Sequence, residues 1–357
     1  MSESILLFFK KGCIQSFNIT TGVISKVVNF KMSLMERILT NIPLFERMLR
    51  KGVRCGIKIS ENIILFVIGH RIYELDIINR KISDGFATTK KSRPLVFTKI
   101  EGLNGFKNGI YFGKYEDNPQ LNPVSIYRRT QMDKWEEVYQ FEKNTIEHIH
   151  NIIPDPYRNL VYILAGDFDH SAGIWIAEDD FKKVKPLLFG NQIYRSCVGF
   201  TIPSGLVYVT DSPFSKNSIR LLKQTNNGWE STHVMDVKGP AIYSCQWGDD
   251  FVFSTSVEGG SRDDSFFYML FGRKRGSGVL DNYSHIYKGN MMDGFKEVYS
   301  AKKDWLPFYL FQFGALIFPT EVDENSLLPV YHMATKKNGM RTLFLKNELK
   351  GADVKIP

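Results

Sequence analysis

Cysteine is scarce in this chain of 357 residues: Cys13, Cys55, Cys197 and Cys245 lie far apart and form no C-x-x-C pair. That spacing argues against a disulfide framework and against a zinc knuckle. No apolar run approaches the roughly 20 residues that cross a bilayer as a helix. Neither a G-x-x-x-x-G-K nor a G-x-G-x-x-G phosphate loop occurs, and there is no G-x-S-x-G elbow. Nucleotide chemistry and Ser/His/Asp catalysis therefore have no local support, and no cofactor is expected. Gly272–Gly278, with Arg273, Lys274 and Arg275, is rich in glycine and base but reads as a flexible loop.

What is present is an ordinary globular composition, 43% hydrophobic and 24% charged. The start, Met1-Ser2-Glu3-Ser4 followed by Ile5–Phe9 and Lys10-Lys11, is acidic and then briefly apolar. It reads as a first β-strand, since a signal peptide has a basic start and about 7–15 apolar residues. With unpaired cysteines, the expected location is the cytoplasm. Lys and Arg number 46 against 38 Asp and Glu, a net charge of +8. The basic residues are scattered, so no nucleic-acid partner is expected. A mildly basic field favours acidic sugars or nucleotide-linked substrates.

One pattern recurs. From Asn159 to Phe189 it runs as strand Leu160–Leu164, polar loop Gly166–His170, strand Gly173–Ala177, acidic turn Glu178–Asp180, Phe181 and a further strand. It returns over Asn108–Phe141, Gly205–Val237 and, with a longer loop, Asp250–Ser300. One more apolar strand precedes each: Val96–Ile100, His148–Ile152, Tyr194–Phe200 and Ile242–Cys245. β-Branched and aromatic residues fill these strands, and Gly, Asn and Asp punctuate them. Four-stranded units at a spacing of roughly 45–60 residues predict the blades of a β-propeller. A lone small sheet cannot bury both faces, whereas radial packing between neighbours does.

Ile63–Phe86, preceded by Val53–Ile59, makes another unit, and Phe308–Leu345 the last. The N-terminus matches only three strands, and the tail Ala352–Ile356 could supply the missing innermost one. The expectation is an all-β single domain over 1–357, with seven blades favoured and six the alternative. Ser33–Lys51 breaks the pattern. Leu34, Ile38, Leu39, Ile42, Leu44, Phe45, Met48 and Leu49 recur at helical spacing, interrupted near Pro43. This predicts a helical insertion packed on the ring; a basic amphipathic surface for a membrane or a partner is the second possibility.

The turn before each last strand resembles a worn Asp-box of the sialidase-like propellers, the BNR repeats. That pattern is roughly S-x-D-x-G-x-x-W, and the matching residues are Thr130–Trp135 with Asp133, Asn226-Asn227-Gly228-Trp229, and Asp293-Gly294-Phe295. The chain is also similar to poorly characterised propellers found with bacterial surface-polysaccharide genes. The resemblance implies glycan chemistry. It also implies that the boxes are structural. Blade topology puts Asp133, Asp179, Asn227 and Asp293 on the rim away from any site, as turn-formers.

The opposite rim collects the starts of first strands and the loops after second strands, where sites usually lie. These supply Glu147, His148, His150, Tyr194, Arg195, Tyr243, Lys114, Tyr115, Asp167, Asp169, His170, Asp211, Thr255 and Glu258; Arg262, His285 and Glu321 join from other loops. Such polar groups beside apolar strands pair with one another as a plug or meet a ligand. His148 and His150 alternate on one strand, so both imidazoles share a face. They could be a metal pair with Asp167 or Glu147 as third ligand, or an acid/base histidine and its neighbour. No metal is adopted. Arg158, in the turn after Asp155, reads as a structural pair-former.

An arginine fork suits a carboxylate. Sialidases use arginines for the sugar carboxylate, a tyrosine nucleophile and an acidic acid/base. By that resemblance Tyr194, Arg195, Asp211 and Glu258 supply the residue types. Asp211 and Glu258 also suit ordinary glycoside hydrolysis. Alternatively, His148 or Tyr194 abstracts a proton beside a uronate carboxylate held by Arg195, which is a lyase. The expectation is a carbohydrate-active enzyme acting on an acidic sugar or polysaccharide intermediate at the channel mouth, hydrolase ahead of lyase. Its catalytic residues are His148, Tyr194, Asp211 and Glu258; Lys114, His150, Asp167, Arg195 and Tyr243 bind substrate. The rival is a non-catalytic glycan-binding or assembly propeller.

Overall fold

A computed structural model describes residues 5–50, 52–89, 91–260, 265–320, 322, 326–346 and 354–355. Arg262 and Glu321 lie outside the described residues. The chain falls into two compact units, Met1–Gly102 with Phe106–Ile152, and Leu103–Gly105 with Ile153–Pro357.

The first unit carries three antiparallel sheets. They are β1–β3 (Ile5–Lys10, Cys13–Asn18, Ile24–Asn29), β4–β7 (Val53–Lys58, Ile63–Ile68, Arg71–Asp76, Lys81–Ile82) and β8–β11 (Thr98–Ile100, Gly109–Gly113, Val124–Gln131, Lys134–Phe141). Alternation sets their burial. Ile57, Leu65, Val67 and Ile72 of the second sheet meet Phe97, Ile110 and Phe112 in one apolar cluster. Phe112 meets Trp135 edge-on, with ring centroids 4.9 Å apart. Each such buried side chain contributes about 1.5–3 kcal/mol.

The turn residue Asp133 adopts φ 52°. Its carboxylate accepts from Ser83 Oγ at 2.8 Å and from the Gly85 N–H at 3.1 Å. Its own N–H donates to Glu74, which Arg129 grips at 2.8 and 2.9 Å. The Asp133 turn is thus a structural pin.

The second unit carries four sheets, the boundary falling within β12. They are β12–β15 (Ile149–Asp155, Leu160–Ala165, Gly173–Glu178, Lys183–Phe189), β16–β19 (Ser196–Ile202, Gly205–Thr210, Asn217–Thr225, Gly228–Val237), β20–β23 (Ala241–Trp247, Asp250–Thr255, Tyr283–Asn290, Gly294–Lys302) and β24–β27 (Ala315–Ile317, Leu328–Met333, Thr342–Leu345, Val354–Lys355). Leu160, Tyr162 and Ile174 pack with Leu206, Tyr208 and Leu222. Arg158 pairs with fully buried Asp155 at 2.8 Å, the structural role expected of it.

Successive antiparallel meanders, seven in all, are the blades of an all-β propeller. Two details differ from the sequence reading. The first sheet has three strands among the described residues, and the tail does not complete it. Val354–Lys355 instead pairs with β26 as the outer strand of the last sheet. Phe308–Phe311 is a helical turn, and the last blade begins at Ala315. The helical insertion is a pair, α1 (Leu34–Thr40) and α2 (Pro43–Leu49), with Pro43 opening the second helix. A third helix, α3 (Phe266–Phe271), lies in the long loop before β22, and Phe308–Phe311 is α4. Among the described residues, no helix is long and apolar enough to cross a membrane.

Candidate functional site

Within the second unit, three of the expected acids, Asp167, Asp211 and Glu258, gather around the guanidinium of a fourth expected residue, Arg195. Asp167 follows β13 in a loop that turns at Gly166, φ +79°, where an added Cβ would lie 2.1 Å from the Ser171 carbonyl. Arg195 follows a 3-10 turn, Gln192–Tyr194, capped by the Asn191 side chain. Asp211 follows β17 and Glu258 follows β21. Loops after second strands and the lead-in to a first strand thus gather these groups, as blade topology requires.

The Arg195 guanidinium is one-eighth exposed. Its Nη2 lies 3.1 Å from Asp167 Oδ1 and 3.6 Å from Asp211 Oδ2. Nη1 donates to the Asp167 carbonyl at 3.1 Å. The backbones are linked too, the Asp211 N–H donating to the Arg195 carbonyl at 3.0 Å. The Cys197 thiol donates to Asp211 Oδ2 at 3.1 Å, and Ser256 Oγ donates to Glu258 Oε1 at 2.6 Å.

Burial pushes the Asp211 carboxyl up to about 8; Arg195 opposes this and the Glu258 charge adds to it. Burial also raises Glu258. Burial pulls Arg195 down, but Asp167, Asp211 and Glu258 outweigh it and hold the guanidinium protonated. Burial and the Asp211 charge raise the Cys197 thiol, which stays a donor. Burial thus favours the neutral form of Asp211. Its Oδ1 is buried without a hydrogen-bond partner among the described residues. Asp167, 26% exposed against 5% for Asp211, is the carboxylate that reaches solvent.

A supporting shell that the sequence did not reveal surrounds the cluster. Gln192 donates to the Asp167 carbonyl at 2.9 Å and accepts from Ser212 Oγ at 2.8 Å. Asn217 ties the Asp211 loop, bonding Thr210 Oγ1, the Ser212 backbone and the Gly278 carbonyl. Such residues leave no periodic signal; only Asp211-Ser212-Pro213 marks a turn. The glycine- and base-rich loop is docked. Gly276 N–H donates to the Glu258 carbonyl at 3.1 Å, and Gly278 N–H to the Pro213 carbonyl at 2.9 Å.

Arg195 already has anionic partners, so its charge organises carboxylates. Tyr194 packs against the apolar cluster of Tyr162, Ile174 and Tyr208. Tyr243 packs against Cys245, Leu316 and Ala315. His285, with Nε2 2.9 Å from Asp281 and Nδ1 2.9 Å from Glu297, is buried in a strand pairing.

In the first unit, His148 and His150 do share a face, with Nε2 atoms 2.9 Å apart. His148 Nδ1 lies 3.0 Å from the Glu116 carbonyl, which can only accept. In the neutral state His148 therefore carries its proton on Nδ1, and His150 donates Nε2–H to it. Tyr115 packs beside them, 4.4 Å from the His148 ring, under the Arg93 guanidinium. Lys114 pairs with Glu116 at 2.6 Å. A carbonyl on Nδ1 is also how a metal-ligating imidazole is oriented, and this pair offers a metal two nitrogens.

No described protein family matches the chain, and no curated protein matches it. Solved structures do. An oligogalacturonate lyase in complex with manganese is 11% identical, with 94% of this chain and 84% of that one covered and a TM-score of 0.54. A Kuenenia stuttgartiensis hydrazine synthase is 6% identical over 95% and 90%, with a TM-score of 0.51. A chain of a mitotic checkpoint complex is 7% identical over 91% and 85%, with a TM-score of 0.50. At such identities the likeness shows the fold alone.

Proposed function

We propose that the chain is a carbohydrate-active enzyme that hydrolyses a glycosidic bond at the Asp167–Arg195–Asp211–Glu258 cluster. One observation carries the reading: Asp211 is a buried carboxyl beside Arg195 whose Oδ1 has no hydrogen-bond partner among the described residues, and burial raises its proton affinity. Carboxyl groups whose environments push their proton affinities apart are the signature of glycosidase acid–base pairs. Asp211 gives its proton to the leaving-group oxygen. Asp167, held on Arg195 and open to solvent, is the carboxylate that activates water or attacks the sugar. Glu258, held by Ser256, completes the acidic wall beside the reacting bond. The worn Asp-boxes and their sialidase-like resemblance support a glycan substrate. An acidic sugar rests on the +8 charge of the chain.

The second reading is elimination from a uronate. It draws on the name of the lyase reported above and on the His148–His150 pair, whose relayed hydrogen bond suits proton transfer. Mass spectrometry on acidic and neutral oligosaccharides separates the two. Hydrolysis adds one water to the products and is lost in Asp211→Asn. Elimination leaves the summed mass unchanged and is lost in His148→Ala. Saturable binding without product means a glycan-binding propeller.

A further inference from the structure

The helices α1 and α2 are inside out. Their apolar side chains face solvent: Leu34 is 76% exposed, Met35 72%, Ile38 57%, and Leu44, Phe45, Met48 and Leu49 each more than a third. The residues turned toward the protein are mostly polar: Thr40 is buried, and Glu36, Glu46, Arg47 and Arg50 are half-buried, with Leu39 the apolar residue among them. A surface helix of a globular protein shows the opposite pattern. Well-formed caps hold this arrangement. Ser33 and Glu36 form a reciprocal capping box, and Arg50 closes α2 in the left-handed region.

The rim of this face is cationic. Lys10, Lys11, Lys31 and Arg37 are all exposed. The Lys10-Lys11-Gly12 turn lies against α1, for a Cβ on Gly12 would meet Met32 at 2.9 Å and Arg37 at 4.0 Å. The two local acids are subdued. Glu36 is engaged by Ser33, at 3.0 Å from both its N–H and its hydroxyl, and Glu46 sits within the field of Lys10. An apolar face ringed by cations with quenched anions matches a surface of fatty-acyl chains beneath phosphates.

We infer that α1 and α2 form a docking surface for an anionic phospholipid bilayer, lying in its interface with Leu34, Met35 and Ile38 inserted. Two helices of seven residues are far too short to span it, so attachment is in-plane and reversible. The inference is independent of the sugar chemistry proposed above.

Vesicle co-sedimentation tests it, using phosphatidylcholine alone and phosphatidylcholine with about a third phosphatidylglycerol. The full chain binds the anionic vesicles, and salt weakens the binding. Leu34→Asp/Ile38→Asp lowers the bound fraction by at least about tenfold. Lys11→Glu/Arg37→Glu abolishes the preference for anionic vesicles. Both variants keep the wild-type melting temperature, since the replaced side chains are exposed. Absence of binding to anionic vesicles overturns the inference. So does binding that survives Leu34→Asp/Ile38→Asp but fails in Phe267→Asp, an exposed aromatic of α3. Light scattering supplies the other contrary result: a concentration-dependent dimer abolished by Leu34→Asp/Ile38→Asp, without vesicle binding, makes a second copy the occupant.

Discussion

Arg195 holds Asp167 twice, through its carboxylate and through its backbone carbonyl, each at 3.1 Å. The planar fork makes this double contact with two nitrogens held in one rigid plane. Replacing Arg195 by Met leaves several carboxyl groups without their cation and costs about 3 kcal/mol. Because Arg195 lowers the proton affinity of Asp211, the same change moves the Asp211 midpoint above 8. Urea unfolding and a pH titration of the variant check the two parts separately.

Asp211 also imposes a pH dependence. Its folded-state carboxyl is raised to about 8 from the ordinary value of 3.8. Between those values the folded state binds the extra proton, so stability falls as pH rises, by at most about 1.4 kcal/mol per unit. The full contribution of the neutral form is present below about pH 4. Turnover that needs the protonated acid falls through pH 8. Asp211→Asn flattens this part of the stability curve and abolishes turnover; unfolding midpoints measured across the acid-to-alkaline range report the first.

Much of this was legible in the sequence, and the reasons are local. Leu160–Ala165 and Gly205–Thr210 announce themselves as apolar runs, and Asp167 and Asp211 follow directly at their ends. A residue one or two steps beyond a buried strand has few places to go. The pairing of Val354–Lys355 was not legible, because two residues carry no alternation. Nor was the role of Arg195. Arginine type suggests an anion, but only distances reveal that the anions are its own neighbours. The packing of Tyr194 and Tyr243 against apolar clusters was not legible for a simpler reason: a tyrosine ring fills such a cluster as readily as it lines a site.

Glycine at position 276 is a requirement of close approach. A Cβ on Gly276 would lie 1.9 Å from the Pro213 carbonyl oxygen. Gly276→Ala forces the loop away, costs about 1–3 kcal/mol, and loosens the hydrogen bond to the Glu258 carbonyl. Turnover should fall more than about tenfold, roughly 1.4 kcal/mol in barrier. Lys274→Ala, in the same loop but at an exposed side chain, should leave turnover unchanged. Steady-state kinetics on both variants check this.

Glu74 tests the structural reading of the Asp133 turn. It is 2% exposed and serves both Arg129 and the Asp133 N–H. Glu74→Ala strands the Arg129 guanidinium and should cost about 3–5 kcal/mol. Denaturant unfolding measures the loss, and turnover per folded molecule should be unchanged.

The most direct measurement is the titration of the Asp211 side-chain carboxyl by carbon-13 NMR, assigned by its absence in Asp211→Asn. The account predicts a midpoint near 8, so that the group is an acid at neutral pH. A midpoint near the ordinary carboxylate value, with Asp211 ionised beside Arg195 as one more fixed charge, would contradict it and remove the proton donor from the proposed reaction.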